Sequence, residues 1–484
     1  MVHQAKPKSH RRSWQLLLLF LIAAWAFVVI SNFGQRTSVE ASQSILFNAL
    51  DAFKHDTDAD RVTNSHINKP RPEYHVLFSS GCSLQQHWES YVLFYHAFKV
   101  NQPGNVTRLV SGCTPQEEQD LRLFHQEKIR TMSDRFHVFF TRNFGGESTF
   151  NQDYKYNNKP NSVYLWMKDI LGMDQPNGTS KDVEDGIILL LDPDMILLRP
   201  LLHDFTDQEM IYASVDKNGS SHPKGSLSRI VQHGNPIAQQ DGYLSDEWMN
   251  FNVSYITQGG TFPSFKKHDG SLYWNSGPPY LSTVRDMWKM VSLWKDYVPR
   301  VYEEYPQLFA EMYGLITAAV HLNLPHTLVK SIVVSEIDTD EREGWAFVDA
   351  LPDEDVCNVE KWSNNPRMPI ILHYCGRYAL GKFFFSKYRL KKHYISCEVP
   401  LLTMPPPNAH QILRFWARPP PDRGQTHEMT VKNVTAKKAK REAFMLCGLI
   451  HSVNEAARYY KTNHCNGTGN FSEIYNFHDD PYST

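Results

Sequence analysis

Apolar runs of strand length alternate with amphipathic helical patterns over the first half of the chain. Strands are predicted at residues 74–80, 107–113, 136–141 and 186–192. Helices are predicted between them, at residues 87–100, 115–127 and 161–171. The segment GIILLLD, residues 186–192, is the most apolar of the strands, as is typical of the centre of a sheet that is covered on both faces. This alternation predicts an α/β fold with a mostly parallel sheet and helices on both faces.

The second half of the chain follows a less regular pattern. Residues 215–270 are rich in Gly, Ser, Asn and His, and their weak periodicity indicates loop and insert. Further helices are predicted at residues 280–298, 305–322 and 437–462, and a late strand at residues 369–375. Pro-rich pieces at residues 404–407 and 418–421 indicate linkers. We therefore predict a main domain over residues 73–400, then a Pro-rich linker and C-terminal helical extension over residues 401–484.

The N-terminus combines basic residues with a long apolar segment. Four Lys or Arg residues precede the apolar run Trp14–Ile30. A spanning helix needs roughly 20 apolar residues, and basic residues before the span keep the N-terminus in the cytosol. We predict a cytosolic tail at residues 1–12, a single transmembrane anchor at residues 13–32 and a stem at residues 33–72. A cleaved signal peptide is the alternative, since Ala-Trp-Ala at residues 24–26 resembles an A-x-A cleavage site.

Charge, glycosylation sites and cysteines restrict the class of protein and the cellular compartment. The chain has 50 basic and 52 acidic side chains, so it lacks the basic footprint of a nucleic-acid-binding protein. Acceptor sites of the form N-x-S/T recur and favour the secretory pathway; they are Asn105, Asn177, Asn218, Asn252, Asn433, Asn466 and Asn470. The 7 cysteines form no C-x-x-C pair, which argues against zinc. An oxidising lumen would permit up to three disulfides and leave one thiol over.

Two acids stand at the end of the most apolar strand. Asp192 and Asp194 are separated by Pro193, which stiffens the link between them. Ligands of open α/β sheets bind at the carboxyl ends of strands. Two adjacent buried carboxylates repel each other, and a divalent cation removes that repulsion. Oxygen ligands at this spacing suit Mg²⁺ or Mn²⁺.

Three interpretations of this acid pair compete. In the first it is the D-x-D motif of a nucleotide-sugar transferase, where a metal neutralises the departing diphosphate. In the second, Asp192 is the nucleophile of a haloacid-dehalogenase-like phosphatase, although that motif belongs to the first strand of its domain and three predicted strands precede it here. In the third, the acids only form a turn or a helix cap. The anchor, stem and lumenal domain match the type II layout of Golgi transferases and favour the first interpretation.

Several segments resemble one family in the same order along the chain. LLDPDMILLRP, residues 190–200, resembles the DADM-I…P segment of hydroxyproline O-arabinosyltransferases and the related peptidyl-serine galactosyltransferases. Other pieces also match that pattern: VLFSSGC at residues 76–82, QPGNVTRLVSGC at 102–113, NKP at 158–160, AEMYG at 310–314 and LHYC at 372–375. The likeness covers about residues 74–390. The sequence departs from the pattern at Pro193 and Cys375, which stand where the family has small residues.

The resemblance implies a retaining glycosyltransferase with a GT-A, Rossmann-like sheet and a bound metal. By carry-over, Asp194 binds the metal directly, Asp192 helps to hold the metal or the ribose, and His373 at the end of a late strand is the third ligand. A buried histidine without a ligand role is the alternative for His373. The cofactor is then Mn²⁺ or Mg²⁺, and the donor is a UDP-sugar.

Further site residues are expected around these ligands: Lys159, Asn275, Glu311, Arg377, Lys382 and Lys387. The basic ones would contact the nucleotide or stabilise the leaving diphosphate, and those after His373 could equally be surface residues. Glu311 is a predicted catalytic residue with Asp192, orienting the acceptor or stabilising positive charge on the sugar; a solvated helix acid is its alternative. The amide of Asn275 would bind sugar hydroxyls, or else belong to a Gly-Pro-bounded turn.

These inferences predict a type II Golgi or ER membrane protein that transfers a sugar to a hydroxyl of a secreted protein. The first reaction expected is L-arabinofuranose onto hydroxyproline, and the second is galactose onto peptidyl serine. A phosphatase and a non-catalytic glycoprotein-binding protein are the alternatives. The acceptor would be an extended peptide, because hydroxyproline- and serine-rich chains favour the polyproline II conformation, which docks on aromatic surfaces. Candidates for that surface are Tyr273, Trp274, Tyr280 and Trp288.

Overall fold

The computed structural model describes residues 72–475, with gaps at residues 147–153, 176–177, 214–227, 264–268, 340–341, 363 and 419–429. The predicted cytosolic tail, the predicted membrane anchor at residues 13–32 and all but the end of the predicted stem lie outside the described residues. Among the residues that are described, no helix has both the length and the apolar character needed to cross a bilayer.

The main sheet is mixed and mostly parallel. The described residues form the strands β1 Tyr74–Ser80, β2 Asn105–Ser111, β3 Phe136–Thr141, β4 Ile187–Leu191, β5 Met195–Leu197, β6 Ile237–Gln240, β7 Ser276–Thr283, β8 Thr327–Val329, β9 Val333–Val334, β10 Ile371–His373, β11 Tyr378–Leu380, β12 Phe383–Phe385, β13 Leu401–Leu402, β14 Phe415–Arg418, β15 Thr430–Asn433 and β16 Glu473–Ile474. The central sheet has the order β3-β2-β1-β4-β7-β6-β8. Only β7 runs antiparallel to its neighbours within it, which confirms the predicted α/β class.

Helices cover both faces of this sheet. Their bounds in the described residues are α1 Leu84–Lys99, α2 Pro115–Phe124, α3 Asn158–Asp169, α4 Lys181–Glu184, α5 Val253–Thr257, α6 Val284–Glu304, α7 Ala310–His321, α8 Trp345–Asp349, α9 Val359–Trp362, α10 Ala409–Ile412 and α11 Ala436–His464. One hydrophobic core contains side chains of α1 and α11, and the other contains side chains of α3, α6 and α7.

Strand β4 joins the two cores. Leu189 and Leu191 belong to the first core, whereas Ile188 and Leu190 belong to the second. Successive side chains of a strand point to opposite faces, so a strand that is apolar at every position must be covered on both sides. Strand β1 lies between β2 and β4, so the direction in which successive strands are added to the sheet reverses between β1 and β4. This switch point is where ligands bind in open α/β sheets.

The predicted start of the helix over residues 280–298 is wrong. Residues 280–283 are the end of β7 and not the start of a helix, because Leu281 pairs with Leu189 of β4 and α6 begins only after Thr283. The prolines at 278 and 279 fall where the register between β6 and β7 shifts. An irregularity of this kind accommodates residues that cannot donate a ladder hydrogen bond.

The predicted loop over residues 215–270 also contains a strand of the central sheet. Strand β6, Ile237–Gln240, pairs with β7 on one side and with β8 on the other. Four residues are too few to show a period in the sequence. Its strand conformation is therefore decided by its neighbours in the fold.

The C-terminal part of the chain packs on the first core. Helix α11 contributes Phe444, Leu449 and Val453 to that core. The disulfide Cys357–Cys447 ties the interior of α11 to an earlier segment, and Cys397–Cys465 does the same just after its last residue. Cys82–Cys113 joins the segments after β1 and β2. Cys375 is the free thiol among the described residues. The limits expected for the domains, at residues 73, 400 and 401, stay predictions.

Candidate active site

The candidate site begins where β4 ends. Asp192 follows Leu191 directly, and Asp194 precedes the first residue of β5. The two carboxylates differ in exposure: the side chain of Asp192 is 22% exposed and that of Asp194 is 6% exposed. One acid therefore faces the open cleft, while the other lies inside the protein.

His373 reaches these acids through a second, three-stranded sheet of order β5-β10-β9. In the antiparallel pairing of β5 and β10, His373 lies opposite Met195. The backbone N–H of Tyr374 donates to the carbonyl oxygen of Asp194 at 3.0 Å. His373 Nε2 lies 3.3 Å from Asp194 Oδ1, and one ligand atom from each of Asp192, Asp194 and His373 lies within 4.8 Å of the others.

Each acid is paired with its own lysine. Lys159 Nζ, in the first turn of α3, lies 2.8 Å from Asp192 Oδ1. Lys387 Nζ donates to Asp194 Oδ2 at 2.5 Å. Burial disfavours the charge on Asp194, but Lys387 and His373 hold the pKa of that carboxyl well below its usual range. The carboxylate raises the pKa of His373 in turn, against the effect of burial.

Glu311 lies on the other side of Lys159. It occupies the first turn of α7, and its Oε2 lies 3.3 Å from Lys159 Nζ. Its backbone is held by two aromatic side chains, since Glu311 N–H donates to Tyr154 Oη and Trp294 Nε1 donates to Glu311 O, both at 2.8 Å. Burial raises the pKa of Glu311. The second carboxyl oxygen, Oε1, is buried with no hydrogen-bond partner among the described residues, so it is available to a ligand.

Two further carboxylates line the same cleft. Asp241 and Glu343 face the cleft that Asp192 and His373 also line. Burial raises the pKa of Asp241, and burial raises the pKa of Glu343 to about 7. Sequence analysis missed both residues. Asp241 follows the strand that was predicted as loop, and Glu343 accepts hydrogen bonds from Ser335, eight residues earlier, a contact with no short-range signature.

Glu89 is another functional candidate that sequence analysis missed. It is buried on α1, and burial raises its pKa to about 7 while the charges of Lys387 and Asp194 act on it. A signal was present, because Glu89 is an acid in line with the buried Val92 and Leu93 of the same helix face. An unsolvated carboxylate at such a position is costly unless it has a partner.

The donor set fits a divalent cation. Two carboxylates and an imidazole converge within 4.8 Å. Mn²⁺ accepts this mixture of oxygen and nitrogen ligands, and Mg²⁺ accepts its carboxylates. The surrounding acids outnumber the bases that face them, so the cleft favours a cation. The arrangement can therefore hold a metal beside a bound phosphate.

The side chains of the three remaining predicted site residues take part in none of the hydrogen bonds or ion pairs of this cluster among the described residues. The amide of Asn275 is occupied, because Trp248 Nε1 donates to it at 2.9 Å and it donates to Asp246 at 3.0 Å. Lys382 is exposed and lies 4.2 Å from the ring centroid of Tyr475. No hydrogen bond or ion pair between Arg377 and the metal cluster is present in the described part of the chain. The structure thus brings together Lys159, Lys387 and Glu311, but not these three residues.

The predicted aromatic surface does not form. Tyr273, Trp274 and Tyr280 are buried in the second core. Trp288 stacks on Tyr164 with ring centroids 4.9 Å apart. The Trp288 stack packs α6 against α3, and the three buried rings are not presented to a peptide.

A model of the hydroxyproline O-arabinosyltransferase family N-terminal domain matches residues 74–239. This match confirms the predicted resemblance and, over those residues, supports a glycosyltransferase. The matched segment runs from β1 to β6 and includes Lys159, Asp192 and Asp194. Glu311, His373 and Lys387 lie beyond it. No curated protein matches the chain in sequence.

Solved glycosyltransferase structures show distant similarity. The apo structure of the bifunctional glycosyltransferase WbbM is 10% identical with a TM-score of 0.31, covering 69% of this chain and 49% of that one. The apo form of the glycosyltransferase GlyE of Streptococcus pneumoniae TIGR4 is 13% identical with a TM-score of 0.30, covering 63% of this chain and 55% of that one. The chain spans about half the length of these structures. The fold assignment above rests on the strand order and not on these scores.

Proposed function

We propose that this chain, a glycosyltransferase whose residues 74–239 match the hydroxyproline O-arabinosyltransferase family N-terminal domain, is a metal-dependent, retaining enzyme of the GT-A type. It transfers a sugar from a UDP-sugar to a hydroxyl of a secreted protein, with L-arabinofuranose onto hydroxyproline as the first reaction. The convergence of Asp192, Asp194 and His373 at the end of β4 carries the proposal.

Asp192, Asp194 and His373 would hold Mn²⁺ or Mg²⁺, which supplies positive charge to the diphosphate of the donor. Lys387 lies beside Asp194 and can stabilise the negative charge that grows on the leaving phosphate oxygen. Lys159 holds Asp192 and Glu311 at a fixed separation. This arrangement supports a cationic environment for the leaving group.

Retention follows from attack on the face that the leaving group vacates. The bond between the anomeric carbon and the phosphate oxygen breaks, a bond from the acceptor oxygen to that carbon forms, and the acceptor proton passes to the departing phosphate oxygen. The free Oε1 of Glu311 orients the acceptor hydroxyl or faces the positive charge on the sugar. Its fixed position on α7 reduces the entropy lost in reaching this geometry.

The GT-A fold type and the location of the protein in the Golgi or ER membrane are parts of the same proposal. A parallel sheet with one reversed strand and acids at the switch point supports a nucleotide-binding fold. Three disulfides support an oxidising lumen. With the predicted anchor at residues 13–32, they support a type II Golgi or ER membrane protein.

The test is a thermal-shift screen of the full-length chain with UDP and a panel of UDP-sugars, with and without Mn²⁺. We expect stabilisation that needs both nucleotide and metal and is lost in Asp194→Ala. The exposed Asp182→Ala is the matched control and keeps the response. Stabilisation by UDP-arabinofuranose or by UDP-galactose separates hydroxyproline arabinosylation from serine galactosylation. Absence of any nucleotide response overturns the proposal.

The two other functions lose support from the site. Asp192 follows the fourth strand in chain order and shares Lys159 with Glu311, whereas a phosphatase nucleophile belongs to the first strand of its domain. A non-catalytic protein has no need for three convergent metal ligands. Sugar transfer in the presence of Mn²⁺ excludes both functions. Hydrolysis of a phosphate ester through a phosphorylated Asp192, with no sugar transfer, would favour the phosphatase.

A further inference from the structure

Helix α7, which carries Glu311 in its first turn, begins after a residue whose side chain cannot cap it. The first four backbone N–H groups of a helix have no carbonyl partner within it, and a Ser, Thr, Asp or Asn before the helix usually accepts one of them. Phe309 occupies that position here, and its hydrocarbon ring has no oxygen to accept such a bond. The start of α7 therefore needs an acceptor from another part of the chain.

The hydroxyl of Tyr154 supplies this acceptor. The backbone N–H of Glu311 donates to Tyr154 Oη at 2.8 Å, and the same hydroxyl donates to the carbonyl oxygen of Leu308 at 3.1 Å. One hydroxyl thus joins an N–H and a carbonyl that are three residues apart at the start of α7. Burial raises the pKa of Tyr154, so the hydroxyl keeps the proton that it donates.

Tyr154 is itself held in place by neighbouring elements. Its side chain is buried, and its ring stacks on that of Tyr302 in α6 with centroids 4.0 Å apart and an interplanar angle of 22°. Its backbone N–H donates to the carbonyl oxygen of Gly145 at 2.9 Å. The hydroxyl is therefore presented to α7 by contacts with α6 and with the segment that follows β3.

A short segment of the chain thus holds Glu311 at both its backbone and its side chain. Tyr154 binds the backbone N–H, and Nζ of Lys159, five residues later, lies 3.3 Å from Oε2 of the carboxylate. Lys159 Nζ also lies 2.8 Å from Asp192 Oδ1. The two contacts together set the position of Glu311 relative to the candidate metal ligands.

We propose that Tyr154 is a positioning residue for sugar transfer, because its hydroxyl caps α7 where Phe309 cannot and fixes Glu311 at the candidate active site. The inference rests on the proposed function, in which Glu311 orients the acceptor hydroxyl or faces the positive charge on the sugar. A misplacement of roughly 1 Å can cost about a hundredfold in rate. Loss of the hydroxyl therefore slows the transfer step more than it weakens the binding of either substrate.

The experiment compares Tyr154→Phe with Tyr297→Phe in the full-length chain. Tyr154→Phe keeps the ring and removes only the hydroxyl. Tyr297→Phe is the matched control, because it removes the hydroxyl of another buried tyrosine, which is hydrogen-bonded to His321 at the opposite end of α7. We expect Tyr154→Phe to lower kcat by roughly tenfold, with the KM values of donor and acceptor within about twofold of the wild type. The control should keep the wild-type kcat and KM values.

Amide hydrogen exchange, followed by mass spectrometry, measures the cap without any substrate. The amides in the first turn of α7 should exchange roughly fivefold faster in Tyr154→Phe than in the wild type, because the turn opens more easily once a capping hydrogen bond is lost. In Tyr297→Phe they should exchange as in the wild type. Equal exchange of this turn in the two variants overturns the inference.

The kinetic outcomes separate this inference from the proposed function. Sugar transfer that Tyr154→Phe retains at the full rate keeps the transferase and overturns the positioning role. A rise in the KM for the donor with kcat unchanged also overturns it, because that result indicates a role in binding alone. Faster exchange in Tyr154→Phe without any sugar transfer by the wild type confirms the cap, and overturns the transferase together with the role of Tyr154 in it.

Discussion

The two acids of the D-x-D segment are one residue apart, yet they lie in opposite electrostatic settings. Asp194 is buried between Lys387 and His373, so its negative charge meets two cationic partners. Asp192 is partly open to the cleft and shares a single cation, Lys159, with Glu311. The Asp194 side is thus balanced by the protein itself, whereas the Asp192 side keeps excess negative charge for a ligand. The same residue type can therefore be charge-balanced in one place and carry uncompensated charge in the next, while both acids belong to one candidate metal site.

The largest effect expected from the different surroundings of Asp192 and Asp194 is on the free energy of unfolding. Asp194→Ala leaves Lys387 and His373 without their buried counter-charge and should lower the free energy of unfolding by about 3 kcal/mol or more. Asp192→Ala leaves Glu311 as a partner for Lys159 and should cost about 1 kcal/mol or less. Thermal unfolding of the two variants without added metal measures the contrast. Equal losses would show that the two settings are not different.

The next effect concerns the two lysines. Lys387→Met should lower kcat by roughly a hundredfold, as expected for the loss of one group that stabilises transition-state charge. Lys387→Arg keeps the charge and should recover part of the rate. Steady-state kinetics with the best donor of the screen provides the measurement. A rise in donor KM with kcat unchanged would contradict the assignment, because it indicates a role in binding alone.

A smaller effect concerns Glu89, a buried acid on which the charges of Lys387 and Asp194 act, and it is seen in the pH dependence of stability. The pKa of Glu89 is about 7, raised by burial above an ordinary value of 4.5. The unfolded chain therefore releases this proton at lower pH than the folded chain does. The stability that neutral Glu89 contributes is complete below about pH 4.5 and is lost as the pH rises through about 7.

Glu89→Gln keeps the neutral form at every pH. Relative to the wild type, it should gain stability between about pH 5 and pH 8, by on the order of 3 kcal/mol at most. Thermal unfolding across this range makes the comparison, with Asp182→Ala as the control. Parallel profiles of Glu89→Gln and the wild type would show that Glu89 is not held neutral by the fold.

The smallest effect is expected for Lys382, which sequence analysis grouped with Lys387. Lys382→Ala removes an exposed ammonium from the ring of Tyr475, 4.2 Å away, and should cost about 1 kcal/mol or less. We expect its kcat and donor KM to stay within about twofold of the wild type. A kinetic loss like that of Lys387→Met would mean that Lys382 moves into the site when the donor binds.

Sequence patterns were sufficient for the elements whose signals are local. The strand Phe136–Thr141 has the predicted bounds, and α11, Ala436–His464, is close to its prediction. Patterns failed for β6 and for the end of β7, because short strands and bulges are specified by their partners across the sheet. The aromatic residues also misled, since ring content alone does not distinguish the core from an exposed surface.

The sequence by itself determined the α/β class, the acid pair at the end of β4 and the family resemblance of residues 74–239. These features depend on contacts within one short stretch of chain, so composition and spacing record them. Tertiary structure alone decided which cations meet which acids, and that Tyr243 rather than the predicted rings is exposed at the cleft. Lys387 and Asp194 are 193 residues apart. A pairing over that separation leaves no local pattern in the sequence.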